Sequence, residues 1–220
     1  LASGNSVLEA TVHALAEVIE RDAISQDLFI ARYLDSTAGH PICYRIDPGS
    51  WPLSSVRLAE RLMAHGLEVR ADWLATDIGV PTFRVLVIDH EFPCRGGTRQ
   101  HGFLGYGTAP DPELALQRAM TEAVQSRLAV IQGARDAFNR YPSEGWDSNS
   151  RNGSKSQPLL AFDTIQGFRS INLDDDLNWL CQKLIAAGFT SILRIDLTRS
   201  DLDIPVVRLR VPGLSCFVVN

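Results

Sequence analysis

The chain has 220 residues, 45% of them hydrophobic and 21% charged, enough to bury a sizeable core as one large domain or two small ones. A formal net charge of -5 at pH 7 argues against a nucleic-acid surface, which needs clustered basic residues, and leaves room for a nucleotide held through a metal. No apolar run reaches the ~18 residues of a membrane span and no signal peptide is visible, so neither membrane insertion nor secretion is expected. Cys43, Cys94, Cys181 and Cys216 are too scattered for a disulfide framework and are read as reduced thiols of a cytoplasmic protein.

Ser6-x-x-Glu9 reads as a capping box: the Ser6 hydroxyl accepts from the Glu9 amide and the Glu9 carboxylate returns the bond. Because the chain opens on Leu1 and caps a helix at once, it is expected to be a fragment of something longer. The helix should run from about Val7 to about Leu34, free of Gly and Pro, and end at Asp35-Ser36-Thr37-Ala38-Gly39. A loop with Pro48-Gly49-Ser50 follows, then a helix from Leu53 to His65 closed by Gly66, and extended segments at 67–76 and 82–89. The glycine cluster GFLGYGT at 102–108 leads into Asp111-Pro112, a cap residue and a first-turn proline, which predict a helix to about Gln132. Residues 143–157 are polar and rich in Ser, Asn and Gly, the pattern of a mobile loop. A helix from about Asp174 to Ala187 closed by Gly188, and strands near 190–197 and 206–211, complete the expected order.

Self-comparison finds an internal correspondence. Leu62-Met63-Ala64-His65-Gly66 answers Leu184-Ile185-Ala186-Ala187-Gly188, Pro81-Thr82-Phe83-Arg84 answers Pro205-Val206-Val207-Arg208, and Ala14-Leu15-Ala16-Glu17 answers Ala119-Met120-Thr121-Glu122. The expected fold is therefore α+β: one domain over 1–220 made of two repeated αβ lobes, about 1–100 and 101–220, with long helices packed on antiparallel strands.

On the first helix Glu9, His13, Glu17, Glu20 and Arg21 fall within about 120° of one another, while the remaining circumference is apolar, so the helix reads as buried. Ala10 and Ala14 beside this stripe are expected to leave room for a ligand. An ordinary Glu17–Arg21 pair at i,i+4 is the plainer account, but it leaves Glu20 and His13 unexplained. In the third helix Arg118 precedes Glu122, the less favourable orientation for helix stability, with Gln125 one turn on, which suggests a role at a site. If Glu17 and Glu122 occupy matching positions on facing helices, their carboxylates need a cation between them. Magnesium suits oxygen ligands and phosphate, and Arg21 and Arg118 would meet the phosphate charge.

Leu1-Ala2-Ser3-Gly4-Asn5-Ser6, the run Glu17-x-x-Glu20-Arg21-Asp22, Gly105-Tyr106-Gly107, Arg118-Ala119-x-Thr121-Glu122-Ala123-x-Gln125-Ser126-Arg127 and Val211-Pro212-Gly213-Leu214 together resemble the YcaO domain family. The resemblance implies an enzyme that uses ATP and Mg2+ to phosphorylate a peptide backbone amide, yielding azolines, thioamides or amidines in post-translational modification of ribosomally made peptides. It implies Glu17, Glu20 and Glu122 as metal ligands and Asn5, Arg21, Arg118 and Glu122 as nucleotide-binding residues. Glu9 joins the nucleotide set, although its capping role already accounts for it. The implied partners are a peptide or protein substrate and a sulfur-delivery or peptide-recognition protein, and a homodimer is left open. The family's first acidic motif lies upstream of this segment, and members usually continue past the Pro-Gly-Leu end, so the fragment is expected to bind ATP poorly alone.

Other readings are weaker. The glycines at 102, 105 and 107 lack the G-K-[ST] of a phosphate loop. His13, His40, His65, His90 and His101 show no zinc spacing and are read as structural. Asp174-Asp175-Asp176 is read as capping its helix, and no G-x-S-x-G elbow supports a hydrolase. The alternative from another class is a non-catalytic scaffold that keeps the fold to bind a peptide or partner.

Overall fold

The computed structural model describes residues 1–33, 42–94, 97–98, 101–132 and 159–215. The glycine- and serine-rich stretch at 143–157, and the helix-ending cluster at 35–39, lie outside the described residues.

The fold is α+β, with two main antiparallel sheets. One has the order β2-β3-β4-β7, from Cys43–Arg45, Leu67–Leu74, Thr82–Asp89 and His101–Thr108. The other has the order β1-β9-β8, from Ala2–Ser3, Val206–Arg210 and Leu193–Asp196. A short hairpin, β5 (Pro93–Cys94) with β6 (Gly97–Thr98), stands apart. The GFLGYGT cluster is thus a strand at the end of this sheet's order, paired along its whole length with β4.

Helix α1 spans Val7–Tyr33, α2 Leu53–Met63, α3 Pro112–Ile131 and α4 Leu173–Ala186. Their ends follow local chemistry. Asp111 caps α3 by accepting from the Glu113 amide. Gly66 and Gly188, at φ of 77° and 94°, take the left-handed conformation that follows α2 and α4 and that a side chain would resist. Asn172 is the N-cap of α4, accepting from the Asp174 amide at 3.1 Å, so the three aspartates are its first turn and not its cap. The Pro48–Ser50 loop winds into a 3-10 turn capped by Asp47.

Each sheet carries a core. Phe83, Val85 and Val87, alternate residues of β4, pack with Ala115, Leu116, Ala119, Met120 and Ala123 of α3. Two glycines allow the contact: a Cβ on Gly105 would stand 2.1 Å from the Ala123 amide nitrogen, and one on Gly107 2.2 Å from the Ala115 carbonyl. The second core joins Ala10, Ala14, Leu15 and Ile19 of α1 to Leu180 and Leu184 of α4 and to Val207 and Leu209 of β9. Packing therefore crosses the chain's midpoint. The opening strand and helix pack with the closing α4, β8 and β9, while β7 and α3 pack with β3, β4 and α2.

Helix α1 is long enough to reach the first sheet as well. Arg84 of β4 donates to Asp27 of α1 at 2.8 Å and to Asp72 of β3 at 2.9 Å, and Arg45 of β2 also pairs with Asp72. All of Arg84, Asp27 and Asp72 are buried, so this is a neutralised ion cluster holding α1 to the sheet. Cys43 lies within it, and burial pushes its thiol up to about 12, which keeps it protonated as expected of a structural cysteine.

Candidate active site

Close contact between α3 and β7 brings two α3 side chains onto the strand's backbone. The Tyr106 amide donates to Glu122 Oε2 at 3.1 Å. One terminal nitrogen of Arg118 donates to the Thr108 carbonyl at 3.3 Å, and the other lies 3.1 Å from His13 Nε2 on α1. Since guanidinium only donates, His13 accepts. The Thr108 hydroxyl in turn meets the buried Thr82 hydroxyl at 2.9 Å. The backbone of strand β7 thus holds the carboxylate and one terminal nitrogen of the guanidinium, and His13 meets the other.

These groups frame a cleft of about 360 Å³ lined by His13, Ala16, Glu17 and Glu20 of α1, by Tyr106, Gly107 and Thr108 of β7, and by Arg118, Thr121, Glu122 and Gln125 of α3. Its electrostatics are out of balance. Burial, then the neighbouring Glu122, with Glu17 adding to it, pushes Glu20 from 4.5 up to about 7, against the pull of Arg21 and a hydrogen bond with Thr108. Burial also raises Glu122, against its bond from Tyr106. Burial lowers Arg118 from its ordinary value, while Glu20, Asp176 and Glu9 pull the other way. A carboxylate cluster short of positive charge thus faces a partly desolvated arginine across open space.

Of the residues singled out in the sequence, Glu17, Glu20, Arg118 and Glu122 meet in this cleft. Arg21 does not line it. It is 61% exposed and 3.8 Å from Glu17, itself 42% exposed, the loose i,i+4 pair of the plainer account. Asn5 and Glu9 lie outside the lining and engage each other: the Asn5 amide and side chain donate to Glu9 Oε2 at 2.8 and 2.9 Å, and these bonds hold the Glu9 carboxyl below its ordinary value. The Ser6 hydroxyl accepts from the Glu9 amide at 3.1 Å, as expected, but the carboxylate returns the bond to Asn5 and not to Ser6. Ala10 and Ala14 are buried in the core against the second sheet, and the small residue at the cleft is Ala16. On a helix apolar all round, the small positions that pack and those that line a site look alike.

His13, read from spacing as structural, belongs to the cleft. Thr108 and Tyr106 were not singled out individually. Their contribution is partly backbone, which leaves no signature in residue type. Asp176 of α4 also faces Arg118 electrostatically, and burial together with Asp175 and Asp111 raises its carboxyl.

Among the described residues no three His, Cys, Asp or Glu side chains stand close enough to hold an ion by themselves. Magnesium commonly takes one or two carboxylates and completes its shell with water and phosphate oxygens. The donor set of Glu17, Glu20 and Glu122 is all hard oxygen, and burial together with Glu122 and Glu17 disfavours charge on Glu20, a penalty that a cation would relieve.

The α+β fold thus brings acidic side chains and an arginine from its two long helices to one cleft, side chains of the kinds that phosphoryl transfer asks of a protein. The family described as "YcaO cyclodehydratase, ATP- and Mg2+-binding" matches residues 1–215, and the chain belongs to it. A Methanothermobacter thermautotrophicus protein is 34% identical over all of this chain and 56% of its own length. A Rhizobium leguminosarum bv. trifolii protein, named for the tfuA 3' region, is 30% identical over 98% of this chain and 51% of its own length. Both carry the description uncharacterized, and the chain spans about half the length of each. Among solved structures, YcaO from Methanopyrus kandleri has a TM-score of 0.75 at 21% identity, over 97% of this chain and 54% of that one. A heterocyclase in complex with substrate and cofactor has a TM-score of 0.73 at 23% identity, over 97% of this chain and 28% of that one. These likenesses show the fold. No helix among the described residues is long and apolar enough to cross a membrane.

Proposed function

We propose that the cleft is the ATP and Mg2+ site of an enzyme that activates a peptide backbone amide for azoline or thioamide formation. The observation that carries this reading is the meeting of Glu17, Glu20 and Glu122 from two helices in one open cleft with Arg118, where burial, then Glu122 and Glu17, push half-buried Glu20 up to about 7. The Methanopyrus kandleri structure is described as bound with AMPPCP and Mg2+, which supports the choice of ligand, and the neighbour described as a heterocyclase supports ring formation as the reaction class.

In this reading Glu17, Glu20 and Glu122 would contribute carboxylate oxygens to the metal site, with water and phosphate oxygens completing it, and ATP, when bound, would supply the phosphoryl group that the amide oxygen accepts as ADP leaves. Glu122, fixed by the Tyr106 amide, keeps its place as charge builds. Arg118, fixed by the Thr108 carbonyl, directs its remaining N–H groups at phosphate oxygens, where a forked guanidinium binds best. Such positioned charge is most of what phosphoryl transfer asks of a protein. Asn5, Glu9 and Arg21 contribute from the rim, and a sulfur-delivering or peptide-recognising partner completes the chemistry.

Calorimetric titration of the intact protein with ATP, with and without Mg2+, tests the assignment. The wild type should bind in a Mg2+-dependent way and Glu17→Ala should lose at least about tenfold in affinity. Equal binding by the two proteins would overturn it. A non-catalytic scaffold would instead bind peptide without releasing phosphate.

A further inference from the structure

We propose that His13 is a positioning residue that fixes Arg118 in its phosphate-facing rotamer. The inference rests on the reading of the cleft as a nucleotide site.

Arginine carries five N–H donors and no acceptor, so the 3.1 Å contact between its terminal nitrogen and His13 Nε2 requires a lone pair on Nε2 and the proton on Nδ1. The other terminal nitrogen is held by the Thr108 carbonyl at 3.3 Å. The guanidinium is therefore pinned at two points, one on α1 and one on β7, although it belongs to α3. Two of its donors are spent on protein, and the rest remain for an anion in the cleft. Without His13 the guanidinium keeps one anchor and a long stem with many rotamers. Ordering that stem would then fall on ligand binding, where it lowers affinity, and not on folding. The same bond ties α1, which carries Glu17 and Glu20, to α3, which carries Glu122, across the cleft itself.

The test is calorimetric titration of AMPPCP in Mg2+ against intact wild type, His13→Ala, His13→Leu, His13→Gln, Arg118→Ala and the His13→Ala/Arg118→Ala double variant. Ala and Leu, which offer no acceptor, should weaken binding about five- to tenfold, and Leu controls for lost bulk. Gln, whose side-chain oxygen can accept from Arg118, should recover most of the loss. In the Arg118→Ala background His13→Ala should change nothing further, because its partner is gone. A Leu variant that binds like wild type, a Gln variant no better than Leu, or a full additional loss in the double variant would each overturn the proposal. A wild type that binds no nucleotide would overturn the reading of the cleft instead, so the two failures are distinguishable.

Discussion

Replacing Glu20 by glutamine should stabilise the metal-free protein at neutral pH while removing its response to Mg2+ and nucleotide. Glu20 is raised from 4.5 to about 7 by burial, Glu122 and Glu17, so between those values the folded protein holds a proton that the unfolded chain releases. Stability contributed by this group is therefore present below about pH 4.5 and is lost as pH rises through 7. At about 1.36 kcal/mol per unit, the loss approaches roughly 3 kcal/mol at pH 8. Glutamine keeps the shape, can accept from Thr108 and carries no charge. Urea unfolding in EDTA at several values between pH 4.5 and 8.5 gives the measurement. The difference between Glu20→Gln and wild type should grow in favour of the variant from near zero at the acid end to a few kcal/mol at the alkaline end. With saturating Mg2+ and ATP the order should invert, because the cation cancels the repulsion in the wild type and has one ligand fewer in the variant. A difference that is flat with pH would refute the claim that Glu20 is strained by its neighbours and awaits a cation.

Gly107→Ala would place its Cβ 2.2 Å from the Ala115 carbonyl and 2.5 Å from the Ala119 amide, forcing α3 off β7. We expect a loss of at least about 1–3 kcal/mol in chemical unfolding, together with weakened nucleotide binding, since both Arg118 and Glu122 are docked on that strand. Arg84→Met should cost about 3–5 kcal/mol, because it leaves Asp27 and Asp72 buried without their shared cation. Adding Asp27→Asn and Asp72→Asn should recover part of that loss, as thermal unfolding can show.

Much of this fold was legible from local chemistry. The cap at Asp111, the glycines after α2 and α4 and the apolar run of β4 locate elements to within a few residues. What stayed hidden is partnership. Hydrophobic alternation says that residues 206–211 form a strand, but not that β9 takes β1 as its neighbour, because pairing depends on contacts far apart in the chain. The cleft was half legible for a similar reason. Charged residues on a buried helix are conspicuous, whereas the Tyr106 amide and the Thr108 carbonyl look like any other backbone groups until α3 is laid against them.

We propose that the chain is an internal repeat whose two copies exchange their opening strand and helix. Support comes from register. Ala2 and Gly107 each stand five residues before the first residue of a long helix, Val7 or Pro112, and Ser3 and Thr108 stand four before it. Laying Pro205-Val206-Val207-Arg208 on Pro81-Thr82-Phe83-Arg84 turns the observed pairs Ala2 with Val207 and Ser3 with Val206 into Gly107 with Phe83 and Thr108 with Thr82, the pairs found in the other sheet. By the same count Glu17 matches Glu122 and His13 matches Arg118. Matched positions can touch only close to the axis that relates the copies, and His13 and Arg118 are 3.1 Å apart. The cleft then lies on that axis, and the approach of Glu17 and Glu122 follows from the symmetry: a carboxylate on one helix facing the axis brings its counterpart to the same place, where only a bound cation relieves them.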